Sequence, residues 1–351
     1  MYSQNVNVKE RVESYKKVTL NADLSWLSAN EQKIIPLFIE AARIVDDIFW
    51  RQNFGDKQTL LSGLTDDYEK EFVRINYGPW DQLNDEKPFI KGFGERPAGA
   101  NFYPAEMTKA DFEKISDPNK NGAYSIIVKD KDGYKVVPYS KAYEKEIKKI
   151  AELLMRASEL ADDAGLKKYL TLRAQALLTD NYQPSDFAWM EMKTSNLDFI
   201  VGPIENYTDK LFGYKTSFES FILVKDPEWS KRLEKFASLL PDLQNGLPVD
   251  EKYKKENPGS ESDLNAYDAI YYAGDCNAGS KTIAINLPND EEVQIKKGSR
   301  RLQLKNIMKA KFDNIMTPIS ELIITPGQRK YVKFNRSEEH TSELQSHLNL
   351  V

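Results

Sequence analysis

The chain of 351 residues sets 49 Lys and Arg against 54 Asp and Glu, a net charge of −5, with two histidines, His340 and His347, and one cysteine, Cys276. One cysteine excludes an internal disulfide framework, and so small a stock of Cys and His excludes a four-ligand structural zinc site and leaves little room for a histidine-activated nucleophile. At 40% hydrophobic and 29% charged, with both signs interspersed, the composition is that of a globular protein with a core and no basic face for nucleic acid.

The length suits two domains or one large one. Residues 1–20 are polar and charged, with no apolar leader or small-residue cleavage site, so a cytoplasmic location is expected. The greasiest stretch, residues 34–45, holds Pro36 and Glu40 and is too short to span a bilayer, so no membrane partner is expected. Ile34, Leu37, Phe38, Ala41, Val45 and Ile48 share one stripe and predict a helix over residues 30–52, started or kinked by Pro36 and stopped by Gly55. A more charged helix is expected over residues 66–75. Residues 87–104, rich in Gly, Pro and aromatics, read as an ordered irregular loop; without a Gly-Lys-Ser/Thr ending they form no phosphate loop.

A hairpin is predicted from residues 124–128 and 134–137, which flank Asp130-Lys131-Asp132-Gly133. Two core helices follow, over residues 143–162 and, after Gly165, over 166–178; Glu144, Glu146, Glu152 and Glu159 fall on the wet face of the first. Beyond Pro184 strand-like segments take over at 197–201, 220–224, 266–273 and 281–287, with a helix at 228–240, a polar loop at 250–264 and a last helix at 302–316. The basic run Lys296-Lys297-Gly298-Ser299-Arg300-Arg301 reads as a solvated turn, because no aromatic platform interleaves it. The fold class is α+β, helix-rich, with a small sheet built largely from the second half.

With histidine absent from the body of the chain, candidate site residues are carboxylates, amides and tyrosines. In Phe199-Ile200-Val201-Gly202-Pro203-Ile204-Glu205-Asn206-Tyr207 a strand ends in Gly-Pro and at once presents Glu205 and Tyr207 on one face. A carboxylate with a neutral phenol acceptor suits capture of an ammonium group; the competing local reading pairs Glu205 with Lys210 and packs Tyr207. In Ile283-Ala284-Ile285-Asn286-Leu287-Pro288-Asn289-Asp290 two asparagines bracket a proline at a strand exit, offering the donors and acceptors that read an extended peptide. The alternative there is turn chemistry at Pro288-Asn289-Asp290. Cys276 has no neighbouring base and reads as a structural thiol.

These segments, in this order, resemble the dipeptidyl peptidase III family of zinc peptidases. The resemblance is carried by Gly202 to Tyr214, continuing to Phe218-Glu219-Ser220-Phe221, and by Ala284 to Glu291 followed by Leu304-Lys305-Asn306-Ile307; the end of the first helix and Gly99-Ala100-Asn101-Phe102-Tyr103-Pro104 resemble bacterial members. It covers most of residues 20–335. The resemblance implies two lobes around a cleft: a lower lobe with a small β-barrel or sheet core that holds the substrate's amino end, and a mainly helical upper lobe that holds zinc. Residues 1–225 would then belong to the lower lobe, 226–268 to an upper-lobe excursion, 269–316 to a return to the lower core, and 317–335 to the start of the upper, catalytic lobe. Glu205 and Tyr207 match the positions that bind the N-terminal ammonium, and Asn286 and Asn289 those that hydrogen-bond the first residues of a short peptide with a free N-terminus.

The family's HExxGH helix, its later EExxA-type helix and therefore its zinc ligands have no counterpart in this sequence. No catalytic or metal-binding residue is assigned within it, and zinc is expected only of the full-length enzyme. After the lead-in Gln328 to Asn335, residues 336–346 (Arg336-Ser337-Glu338-Glu339-His340-Thr341-Ser342-Glu343-Leu344-Gln345-Ser346) read like the translation of a sequencing-adaptor run-through. The expectation is the substrate-anchoring, amino-terminal part of a zinc dipeptidyl aminopeptidase, inactive by itself. A non-enzymatic peptide-binding module, or another hydrolase on the same scaffold, is the alternative. The sequence sets no oligomeric state.

Overall fold

The computed structural model describes residues 7–131, 133–254 and 263–323. The adaptor-like segment 336–346 and the middle of the polar loop fall outside them. The described residues divide into two compact units: those within 7–15, 27–222 and 271–281 form the first, and those within 16–26, 223–270 and 282–323 the second.

The first unit opens with α1 (Val8–Glu13), whose Arg11 grips the buried Asp81 carboxylate through two hydrogen bonds of 2.8 and 3.2 Å. Helix α2 (Ala29–Asn53) starts at a Ser28–Glu31 capping box, which satisfies two otherwise orphaned N–H groups. Its predicted stripe is all buried, each Ile or Phe contributing roughly 1.5–3 kcal/mol relative to exposure. Pro36 neither starts nor ends this helix. It lies inside, on the exposed side of the helix with Gln32, where the missing N–H of a proline costs least. Helices α3 (Lys57–Ser62) and α4 (Asp67–Asn76) are capped by Asp56 and Asp66, and a short antiparallel pair, β1 (Trp80–Asp81) and β2 (Lys87–Pro88), begins the irregular loop.

After α5 (Lys109–Glu113) come the predicted hairpin strands β3 (Ser125–Asp130) and β4 (Gly133–Pro138), then α6 (Tyr139–Ala142), α7 (Glu144–Leu160), α8 (Ala164–Thr179) and α9 (Gln183–Glu191). Helix α9 fills the stretch before the first strand-like segment, to which no element was assigned from the sequence: a proline in the first turn costs no hydrogen bond, so here it starts a helix. Gly165 lies within α8, not before it. Helices α2, α7, α8 and α9 pack in series, α2 also against strand β5 (Leu197–Glu205), with Phe38 stacked on Phe199 at 4.3 Å. β5 neighbours β6 (Ser217–Lys225), which is buried from Ser217 to Val224, two serines and Glu219 included.

The second unit contains α10 (Pro227–Ala237), α11 (Leu240–Asn245), most of β7 (Asp263–Gly274), β8 (Ala284–Leu287), α12 (Glu291–Lys297), β9 (Arg300–Leu304), α13 (Lys305–Lys311) and α14 (Thr317–Ile323), with one π-helical turn, Phe312–Met316, before the last. β7 pairs in parallel with β9 from Asp263↔Arg300 to Tyr267↔Leu304, and β8 pairs antiparallel with β9. The helix expected from residue 302 therefore begins at Lys305. Leu302 and Leu304 alternate with Gln303 as strand residues, both leucines fully buried. The basic run is also only partly a solvated turn, since Arg300 is 2% exposed and donates to the Tyr267 hydroxyl at 3.0 Å. Helices and strands together bear out the α+β class. Among the described residues no helix is long and apolar enough to cross a membrane.

A candidate amine-binding site

Within strand β5, Gly202 takes a φ of 139°, which side-chain-bearing residues rarely adopt, and a Cβ there would lie 3.3 Å from the Tyr182 ring and 3.5 Å from Arg173. Glu205 closes the strand, and the following loop folds around one buried carboxylate. Asp209 accepts from the backbone N–H groups of Leu211, Phe212, Tyr214 and Lys215 at 2.9–3.1 Å and from the Tyr103 hydroxyl at 2.7 Å. Asn206 closes the loop through the Gly213 carbonyl at 2.7 Å. On this frame Tyr207 stands 74% exposed beside Glu205, whose charge, followed by partial burial and a hydrogen bond between the two side chains, pushes the phenol pKa up. The local alternative for this pair is not what the geometry displays: Lys210 bridges to Glu86 at 3.0 Å and Tyr207 is not packed away.

Two further carboxylates face Glu205, and sequence reasoning singled out neither. Glu219, on β6, is 4% exposed and accepts from the Cys276 backbone N–H. Burial, then Asp275, then Glu205 hold its pKa well above the usual carboxylate range. Asp275 lies just past the end of β7 and accepts from the Thr208 hydroxyl at 3.2 Å. Burial and the charge of Glu205 push it up to about 7, against the opposing pull of Thr208 and Arg96. Arg96 is nearly enclosed and already engaged by Glu86 at 3.2 Å and by the Asn53 side-chain oxygen at 2.7 Å. The one available signal for Glu219 was a glutamate leading into the apolar run Phe221-Ile222-Leu223-Val224 of a buried strand. Asp275 left none, because it reaches the cluster through packing of distant segments.

That packing is specific. The Gly274 N–H donates to Asp46 at 3.3 Å, Tyr77 donates to the same carboxylate, Asn277 donates to the Tyr77 hydroxyl at 2.7 Å, and Gly279 N–H reaches the Ile75 carbonyl at 2.9 Å. Residues 274–279 are thereby tied to α2 and to the end of α4. Cys276, fully buried, donates its thiol to the Ser220 and Ala273 carbonyls, and burial pushes its pKa up, as a structural thiol requires.

Asn286 and Asn289 lie in the second unit. Asn286 is an exposed β8 residue paired in register with Arg301, between buried Ile285 and Leu287. Asn289 is exposed beyond the cis Leu287–Pro288 peptide. Its neighbour Asp290 supplies the capping chemistry, accepting from Val293 N–H at 2.9 Å to begin α12. The structure thus groups Glu205, Tyr207, Glu219 and Asp275 in one unit and places the asparagine pair in the other.

Glu205, Glu219, Asp275 and the Tyr207 phenol act on one another here, with Arg96 beside Asp275. Such a site favours a cation that also donates hydrogen bonds, which is the description of a primary ammonium. Among the described residues no three His, Cys, Asp or Glu side chains are grouped so as to hold a metal ion, so these residues do not fit a zinc site.

Comparison with known proteins gives the same family from three directions. The sequence profile of Peptidase family M49 matches residues 114–338. The chain is 32% identical over 403 aligned residues to a protein of Arabidopsis thaliana named Nudix hydrolase 3, covering 97% of this chain and 52% of the plant protein. It is 24% identical over 170 residues to human dipeptidyl peptidase 3, covering 47% of this chain and 22% of the human protein. Among solved structures, DPP III from Caldithrix abyssi superposes with a TM-score of 0.88 at 38% identity, over 93% of this chain and 64% of that one. Dipeptidyl-peptidase III from Corallococcus sp. strain EGB gives 0.84 at 34%, over 93% and 63%. The chain spans about half the length of the plant relative and under two thirds of either bacterial structure.

Proposed function

The chain belongs to peptidase family M49, and from that premise we propose that it supplies the substrate-anchoring part of a dipeptidyl aminopeptidase, which holds short peptides by their free amino end. The observation that carries this reading is the Glu205–Tyr207 pair at the exit of β5, Glu205 half-buried and Tyr207 exposed, backed by Glu219 and Asp275, and lying in the segment that resembles the family's amine-binding motif. Glu205 supplies the charge for the ammonium and Tyr207 a neutral acceptor; Asn286 and Asn289 would hydrogen-bond the backbone of the first residues. The zinc implied by the family is assigned to the whole enzyme. The described residues do not fit it, and no chemical step is derived through it.

Charge-assisted hydrogen bonds contribute roughly 1.5–3 kcal/mol each, so Glu205→Gln is expected to weaken binding of an unblocked tetrapeptide by about 10- to 100-fold. The same substitution should leave the weak binding of the N-acetylated peptide unchanged. Calorimetric titration of both peptides checks this, and unchanged affinity for the unblocked one sinks the anchor role. A peptide-binding module without catalysis would show the same anchor. Release of dipeptides from the amino end by the whole protein separates the two, as does an in-frame HExxGH helix after Asn335 in the gene. Another hydrolase on this scaffold, the remaining alternative from the sequence, would show no preference for a free amino end.

A further inference from the structure

Resting on the amine-anchor reading, we propose that Asp275 is a further positioning residue of that anchor, a second carboxylate that ionises as the substrate's ammonium is seated and so couples capture of the amino end to release of one proton. The placement of Asp275 supports this. Gly274, with φ of 78°, lies flush on β6, and a Cβ there would be 2.2 Å from the Phe218 carbonyl oxygen and 2.9 Å from the Glu219 Cα. The turn that begins at Asp275 is therefore fixed beside Glu219, while the Thr208 hydroxyl, next in sequence to the exposed Tyr207, holds its carboxylate at 3.2 Å. Asp46 and Tyr77 anchor the same turn from α2 and the end of α4.

The charged and titratable groups around Asp275 come from every element packed on it: Glu205 and Tyr207 from the end of β5 and its loop, Glu219 from β6, Cys276 from its own turn, and Arg96 with Glu86 behind it. Arg96 already serves Glu86 and Asn53, so it neutralises Asp275 only in part. Burial first, and then the charge of Glu205, hold Asp275 at about 7 against the Thr208 hydrogen bond and Arg96. Glu219, more deeply buried, is held well up by that burial first. A cation brought to Glu205 favours the charged form of its neighbour. The balance is RNH3+ plus protonated Asp275 giving RNH3+ beside the Asp275 carboxylate and one proton to solvent. Because the bound state holds fewer protons, affinity rises with pH up to about 7. Near pH 8 the peptide's own amine, with its ordinary value of about 7.7–8.0, begins to lose its charge and affinity turns down.

The test titrates the chain with unblocked and N-acetylated tetra-alanine between pH 5.5 and 7.5, in buffers of differing ionisation enthalpy. Expected for the unblocked peptide is release of about half a proton at pH 7 and an affinity that falls up to about tenfold per unit below it. Asp275→Asn, which keeps an acceptor for Thr208, should still prefer the unblocked peptide, with a flat profile and no proton released near neutrality. Equal binding of the two peptides overturns the anchor reading and this inference together. A preference for the unblocked peptide without proton release overturns this inference alone, and needs no variant to fold.

Discussion

Gly274→Ala is expected to destabilise the first unit by about 2–5 kcal/mol, overpacking and backbone strain together, and to abolish amine binding. Two independent terms add. A φ of 78° is the left-handed region, where a Cβ costs roughly 1–2 kcal/mol. The new methyl would also meet the Phe218 carbonyl oxygen at 2.2 Å, the Glu219 Cα at 2.9 Å and the Phe218 carbonyl carbon at 3.0 Å, all backbone atoms of a buried strand. No rotamer change relieves a backbone clash, so β6 or the turn must move, and either movement separates Glu219 from Asp275. Denaturant unfolding and peptide titration of the same preparation check the two effects. A variant as stable as the parent that still prefers the unblocked peptide would show that the turn does not need this close approach.

What the sequence disclosed and what it hid follow the range of the forces involved. The α2 stripe was readable because six apolar residues at helical spacing pack on one side, and every one of them is buried. β5 and β6 were readable as apolar runs, although their ends were set by pairing and both extend beyond the predicted segments. β9 was not readable. Its alternation lasts only five residues, and α13 begins at once after Leu304, with no capping side chain to mark the boundary. The site divides in the same way. Glu205 and Tyr207 share a strand end and declare themselves within three residues. Glu219 and Asp275 join them only through the close approach of Gly274 to β6 and the tethers from Asp46 and Tyr77, contacts between residues far apart in the chain. Proximity of that kind has no local signature. A glutamate inside a buried strand is the nearest thing to one, since its burial requires an explanation.

Lys215→Met should destabilise the first unit by about 3–5 kcal/mol, because it orphans several buried acceptors at once. Lys215 is fully buried, and its ammonium donates to the Lys120 carbonyl, the Gly122 carbonyl and the Ser125 hydroxyl, each at 2.8 Å, with the Tyr103 ring 5.9 Å away. It thereby fastens the end of the loop that presents Tyr207 to the segment leading into β3, beside the Thr216–Ala123 backbone hydrogen bond. Methionine fills similar space and supplies no donor. The same geometry fixes the sign of a pH effect. Burial lowers the lysine pKa to about 8, with Asp209 and Asp117 pulling the other way. In the unfolded chain it returns to about 10.4. Between these values the unfolded chain holds more protons, so the cost of the buried charge is fully present below pH 8 and fades as pH rises. The stability gap between wild type and variant should therefore widen from pH 8 to about 10.5, and taking that difference cancels groups common to both chains. Urea unfolding of the two proteins at pH 7, 8.5 and 10 measures it. A gap that stays constant over this range would mean that folding does not lower the Lys215 pKa, and one that widens as fast from pH 7 to 8.5 as above it that the amine is neutral in the fold, whereas widening that is slow below pH 8.5 and faster above it identifies a buried ammonium as the pin of the amine-binding loop.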